Sequence, residues 1–248
     1  MHFRFHGLLR VLRSFLIFSP GSCWIACVCL VVYVMQHILE TIPFIYGFSM
    51  ADAFYPCFSI NRHLWDGMFW QPVTYIFLHG PWWHLTFNLL TLLLFGTGVE
   101  RLVGTRRFWI LFLLGGILGG IGWLAVAHLT FVLPSIQSWT YWIPESVRHT
   151  LNLGLAPVSP DSAICIGASG SLFALLGAFA ALYPHRTVYL LLFFVIPLRL
   201  RARTLAIVIG VLSILEIMFV QSQIAYASHL IGGIAGYLLA KRWRECYE

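Results

Sequence analysis

Charge is what this chain has least of. Only 10% of its 248 residues are Asp, Glu, Lys or Arg, against 60% hydrophobic, and the mean hydropathy is +0.84. Soluble globular domains carry about a quarter charged residues, so that class is excluded. The alternation of apolar and polar residues required by a membrane β-barrel is also missing. Six cysteines form neither a disulfide framework nor a metal-ligand spacing: Cys23, Cys27, Cys29 and Cys165 lie in or beside apolar stretches, Cys57 in a loop and Cys246 near the end. No soluble basic face is present to read nucleic acid, despite a net charge of +6 and a pI of about 9.2. The basic residues instead flank apolar runs, where they orient a chain in a membrane and attract anionic lipid headgroups. No small-x-small cleavage site follows the first apolar run, which is therefore read as a retained helix rather than a signal peptide.

What is present is a series of six apolar stretches, at 23–39, 84–103, 108–129, 166–183, 204–220 and 224–240. Each approaches the about 20 residues that cross a bilayer core. They predict an all-α polytopic membrane protein: a basic cytoplasmic segment at 1–21, a six-transmembrane-helix domain at 22–241 and a short cytoplasmic tail at 242–248. A seventh apolar stretch, 188–198, is only half a span and contains Pro197. With six spans and the N-terminus inside, thirteen of the fifteen basic residues are cytoplasmic and only Arg62 and Arg148 lie outside, as the positive-inside rule favours. A crossing at 188–198 would carry Lys241, Arg242 and Arg244 to the outer side. That stretch is accordingly predicted to lie at the cytoplasmic interface as a hairpin or surface piece.

The outer loop at 46–81 holds interfacial aromatics such as Trp65, Phe69 and Trp70, with Trp82 and Trp83 just after it. The outer loop at 130–165 contains Pro134, Pro144, Pro157 and Pro160 and is expected to be irregular. The second, fourth and sixth spans enter from the same side and carry the unusual polar residues near their starts: His84 and Asn88, Ser169, and His229. At 1.5 Å per residue all four fall within roughly 10 Å of the outer interface. Small residues recur every four positions after the serine (Gly170, Ala174, Ala178) and after the histidine (Gly232, Gly236, Ala240). Such ridges let membrane helices approach backbone to backbone, and His229 shares the face of Gly232.

A serine hydroxyl becomes a nucleophile when a base takes its proton, and histidine is the usual base. Ser169 is thus the predicted nucleophile, and His229 the general base and then acid. No acidic residue neighbours His229 in sequence, which favours a dyad over a triad. Acyl transfer also needs oxyanion donors. Asn88 and His84, one turn apart on one helix face, and the backbone N–H of Ser169 are predicted to supply them.

These motifs resemble the rhomboid intramembrane protease family. The resemblance rests on His84 and Asn88 spaced by three residues, Gly167-Ala168-Ser169-Gly170, the ending His229, Gly232 and Gly236, and the stretch from Phe95 to Gly104 with Glu100. It runs from about residue 69 to 240. It implies a six-helix core, a Ser169–His229 dyad in a water-filled cavity open to the outside, oxyanion donation by His84 and Asn88, a structural His79, no cofactor, and substrates that are transmembrane proteins cut near small residues. Two departures stand out. Where many members have Trp-Arg in the first outer loop this chain has Trp70-Gln71, and Phe173 occupies a position that often holds tyrosine.

Other readings were open from the same residues. A rhomboid-like protein without catalysis would bind transmembrane helices for trafficking or quality control, but it would more naturally have lost Ser169 or His229. A channel would carry polar residues through the whole membrane, whereas here they stop in the outer half. Glu100 and Arg101 are expected to be structural. Glu216, in the fifth apolar stretch, needs a partner or a proton that the sequence does not name. A bacterial plasma membrane is the expected location.

Overall fold

A computed structural model describes residues 19–44, 49–132, 163–192, 196–219 and 225–245. Most of the basic N-terminal segment, most of the outer loop at 130–165 and the end of the tail lie outside the described residues. The protein is mostly helical. Among the described residues, three helices are long and apolar enough to cross a membrane: α1 (Pro20–Thr41), α4 (Trp82–Val103) and the stretch Thr105–Leu129 of α5 (Thr105–Val132). A shorter apolar helix, α6 (Ser169–Leu182), occupies the centre. The helices α7 (Ala202–Phe219) and α8 (Tyr226–Glu245) complete the bundle.

The first helix begins where a distant carboxylate lets it. Pro20 suits the first turn, having no N–H to satisfy. The next two N–H groups, of Gly21 and Ser22, donate to Glu100 at 2.7 and 2.8 Å, and the Ser22 and Thr105 hydroxyls donate to the same carboxylate. An anion at a helix N-terminus satisfies orphan donors and the macrodipole together. Glu100, 1% exposed, therefore ties the end of α4 to the start of α1, and the neighbouring Arg101 reaches Ser19. Both residues have the structural role expected of them. The chain turns between α4 and α5 at Gly104, whose φ of +80° is open to glycine.

The connection from α1 to α4 is a compact run of short elements. Helix α2 (Met50–Phe58) is started by Ser49, whose N–H and hydroxyl both donate to Asp52 and hold that carboxyl below the usual carboxylate range. After a turn at Arg62–Leu64 comes α3 (Gln71–Thr74), continued by a tight turn at Tyr75–Phe77. Gln71 is completely buried and bonds the Pro56 carbonyl, Asn61 and the Met68 sulfur. The amide thus braces this loop by itself. Helix α4 contains a π-helical turn at Leu92–Gly96, which nothing in the apolar pattern predicted.

The described residues of 188–198 do not form a crossing helix. They lie in two antiparallel strands, β1 (Thr187–Leu192) and β2 (Ile196–Arg201), paired from Thr187↔Arg201 to Leu192↔Ile196. The fourth apolar stretch is shorter than the predicted 166–183. Its helix starts at Ser169, because the chain is still turning at Gly167.

Glycine sets how closely the central helices approach. A methyl group added at Gly232 would strike the Gly170 carbonyl, one at Gly236 the Ala174 backbone, one at Gly177 the Gly233 carbonyl, and one at Gly115 the Ala174 side chain. The small-residue ridges of α6 and α8 therefore lie backbone against backbone, as their spacing implied, with Gly115 of α5 close against the same seam. From Gly170 to Ala181 every α6 residue but Phe173 is buried. Exposed Leu, Ile, Val and Trp side chains on α1, α4, α5, α7 and α8 face outward, the surface expected of a protein whose solvent is lipid.

Candidate active site

The turn before α6 is pinned from two sides. Ile60 and Cys165 exchange backbone hydrogen bonds at 3.1 and 3.0 Å, and the Gly167 N–H donates to the Tyr75 carbonyl at 2.9 Å. Gly167 itself has φ +119°, a conformation strained for any other residue. The turn delivers Ser169 as the first residue of α6.

From α8, His229 meets it: the imidazole Nε2 lies 2.8 Å from the Ser169 Oγ. Two rings hold the imidazole. Phe173, one turn after the serine, stacks on it at 4.2 Å between centroids with planes 5° apart, and Tyr226 presents an edge at 6.0 Å and 87°. The ring of Phe173 thus packs on the imidazole without a hydroxyl of its own. Among the described residues no carboxylate hydrogen-bonds His229, so the geometry is that of a pair rather than a triad.

His84 and Asn88 approach from α4. A Cβ built on Gly167 would fall 2.7 Å from His84 Cε1 and Nε2 and 3.6 Å from Asn88 Nδ2. Glycine therefore leaves room for both side chains beside the serine turn. The His84 Nδ1 accepts a long hydrogen bond of 3.5 Å from the Gly80 N–H, which leaves the Nε2 to carry the proton and face the turn. The Asn88 amide nitrogen is buried and has no partner. Unpaired buried donors are rare in native structures; this one borders the nucleophile. All the predicted site residues are thus brought together: Ser169, His229, His84 and Asn88 around the turn, with Gly167 and Gly170 below it and Gly232 and Gly236 seating α8 on α6.

Two supporting residues, Gln36 and Tyr75, were not named from the sequence, whereas His79 was expected to be structural. Gln36 of α1 bonds the His79 backbone on both sides, its Nε2 donating to the carbonyl at 2.9 Å and its Oε1 accepting from the N–H at 3.1 Å. It thereby fixes the loop that launches α4. The His79 ring is buried, with its Nδ1 against the Phe77 carbonyl and its face near His84. Tyr75 reaches under the site to the Gly116 carbonyl. Gln36 and Tyr75 are each a single polar residue in an apolar or mixed stretch, and no spacing rule marks them. An apolar groove of about 340 Å³ runs between α6, α7 and α8, with His229 at one end and Arg203 at the other. Among the described residues no group of three or more His, Cys, Asp or Glu is placed to hold a metal ion.

Comparison with known proteins identifies the family. A family model for the Rhomboid domain matches residues 66–244. The chain is 27% identical over 181 residues to the putative rhomboid protease YdcA of Bacillus subtilis, covering 73% of this chain and 70% of that one. It is 32% identical over 117 residues to the mitochondrial Rhomboid protein 1 of Saccharomyces cerevisiae, or 47% of this chain and 26% of that one. It is 28% identical over 120 residues to the rhomboid protease GlpG of Serratia proteamaculans, or 48% and 39%. The matched part thus spans about a quarter of the yeast protein and well under half of GlpG. With the family model covering well over half of its length, and the serine, histidine and asparagine gathered at one turn, this chain belongs to the rhomboid family.

Proposed function

We propose that the chain is an intramembrane serine endopeptidase that hydrolyses a peptide bond in the transmembrane helix of another membrane protein, near the outer leaflet. The observation that carries this reading is the 2.8 Å contact between Ser169 Oγ and His229 Nε2 with the unpaired Asn88 amide beside it. His229 takes the hydroxyl proton as Oγ attacks the carbonyl carbon. The resulting oxyanion accepts hydrogen bonds from the Ser169 N–H, the Asn88 amide and the His84 Nε2–H, each donor being worth on the order of 3 kcal/mol. The C–N bond then breaks and the leaving amine takes the proton from His229, leaving an ester on Ser169. A water molecule, deprotonated by the same imidazole, attacks that ester and releases the acid. His229 thus serves as base and acid in turn.

Six membrane crossings with both termini cytoplasmic belong to this proposal. They place the serine turn in the outer half of the bilayer. The 14 residues of α6, about 21 Å long, fall short of the about 30 Å core, which supports a site sunk below the outer surface. Two of the three relatives above are bacterial, in keeping with a bacterial plasma membrane. A helical substrate hides its scissile carbonyl, so segments weakened by Gly or Pro with a small residue before the cut should be preferred over a stiff poly-leucine span.

The test is cleavage of a model single-span substrate by the reconstituted protein, alongside Ser169→Ala and His229→Ala variants of matched folding. The wild type should yield product and both variants should yield none. A wild type that binds varied substrate helices but cuts none would replace this reading with that of a non-catalytic helix-binding protein.

A further inference from the structure

The proposed chemistry makes no use of the apolar groove of about 340 Å³ between α6, α7 and α8. Small residues from all three helices line it, among them Ala180, Ala206, Gly210 and Gly233, and a Cβ on Gly210 would meet nothing within 4 Å. Ile207 and Leu238 also line it and are each more than half exposed, so the groove opens on the outer surface of the bundle, where the solvent is lipid.

Its dimensions select what can lie there. Along α7 the lining runs from Arg203 to Ser213, and along α8 from Leu238 back to His229, which is about 15 Å at 1.5 Å per residue. Half of the about 30 Å hydrocarbon core is the same length, so the groove matches the acyl chain of one leaflet. Spread over that length, its volume gives a cross-section of about 23 Å². A helix at least about 10 Å across needs about 80 Å². A substrate helix is therefore too wide, whereas a single extended hydrocarbon chain fits.

One end of the groove is cationic. Arg203 lines it, is exposed, and forms no ion pair with a described residue. The Arg203 N–H donates to the Pro184 carbonyl and the Ala202 N–H to the Arg186 carbonyl, which sets the start of α7 against the foot of the β1–β2 pair. Arg186, Arg199 and Arg201 are carried there. The first two lie over the rings of Tyr183 and Tyr189, at 5.6 and 5.8 Å. Between Asp161 and Glu216 the sequence has these four arginines and no acidic residue. A guanidinium binds phosphate through two parallel hydrogen bonds, and a cluster of basic residues at a membrane surface favours a net negative headgroup.

We propose that the groove is a binding site for an anionic phospholipid, with Arg203 holding the headgroup phosphate and one acyl chain lying along α7 so that its methyl end reaches Phe173 and His229. The test starts from protein reconstituted in vesicles of equal parts phosphatidylglycerol and phosphatidylcholine, then extracted in mild detergent, with retained lipid read by native mass spectrometry. The wild type should keep one phospholipid per chain and favour phosphatidylglycerol about fivefold. Arg203→Gln should bring that ratio close to one. Gly210→Leu, whose side chain has open space to enter, should keep no lipid while its helical content by circular dichroism is unchanged. Wild-type protein in vesicles containing phosphatidylglycerol with a diazirine at the end of one acyl chain should, on illumination, carry adducts on Phe173 or Leu230, a readout that needs no variant to fold.

Several loosely held lipids without headgroup preference would show ordinary boundary lipid and overturn the proposal. So would retention unchanged in both variants, or adducts confined to residues outside the groove. Neither readout depends on peptide hydrolysis, so such a failure leaves the protease reading standing.

Discussion

Replacing Gly236 with alanine adds one methyl group at the tightest seam between α6 and α8. That Cβ would sit 2.6 Å from the Ala174 Cα, with the carbonyl carbon and oxygen of the same residue closer still. Carbon atoms rest at about 3.5–4.0 Å, so α8 must move away from α6 by about 1 Å. His229 lies seven residues earlier on α8, about 10 Å along the axis, and the same movement would lengthen its 2.8 Å contact with Ser169 to beyond hydrogen-bonding distance. Overpacking of this kind costs about 1–3 kcal/mol of stability, and a 1 Å misplacement costs about 100-fold in rate. Gly210→Ala is the matched control. Nothing lies within 4 Å of its new methyl group, and alanine is the better helix former by about 1 kcal/mol. Initial rates on a single-span substrate and thermal unfolding in one detergent should show Gly236→Ala losing about two orders of magnitude in rate together with several degrees of Tm, and Gly210→Ala losing neither. Wild-type rate and Tm in Gly236→Ala would refute the argument that backbone contact at this seam sets the site geometry.

Other consequences can be checked separately. Glu100→Ala leaves two buried backbone N–H groups and two hydroxyls without their acceptor and should cost at least about 3 kcal/mol, read as a large fall in Tm; Glu100→Gln should cost less, and an unchanged Tm in the alanine variant would contradict the capping role. Asn88→Ala should leave folding intact and slow turnover more than tenfold; an unchanged rate would remove this amide from the oxyanion site. His79 should make stability sensitive to acid. Burial, with His84 nearby as a second cause, pushes its imidazole down to about 4 against an ordinary 6.5, although its bond to the Phe77 carbonyl opposes the shift. The unfolded chain therefore binds a proton between those values that the folded chain refuses, so stability falls as pH drops from 6.5 towards 4, by on the order of 3 kcal/mol in all. Unfolding measured at pH 7.5 and pH 5 should show a smaller acid loss in His79→Gln than in wild type; equal losses would show that this ring is not responsible.

The site residues were legible because each carries its own local signal. His84 and Asn88 are one helical turn apart, Ser169 sits among small residues after a glycine, and His229 opens a ridge of Gly232 and Gly236. Its short length, Pro197 and the charge distribution together kept 188–198 from being read as a crossing helix, and the paired strands found there agree. What escaped depends on contacts between residues far apart in the chain. Glu100 meets the start of α1 across 78 and 79 positions, and Gln36 meets His79 across 43, distances over which no periodicity operates. The stacking of Phe173 on His229 was hidden because a phenylalanine in an apolar helix looks like any other. The shortened α6 follows from the positive φ at Gly167, which a glycine permits but does not announce.

The most direct test of the central claim is to treat the folded, reconstituted protein with a fluorophosphonate and locate the adduct by mass spectrometry. The account predicts a phosphonyl group on Ser169 in the wild type and its loss in His229→Ala at unchanged Tm. An adduct on a different serine, or labelling of Ser169 that persists without His229, would contradict the assignment of this pair as nucleophile and base.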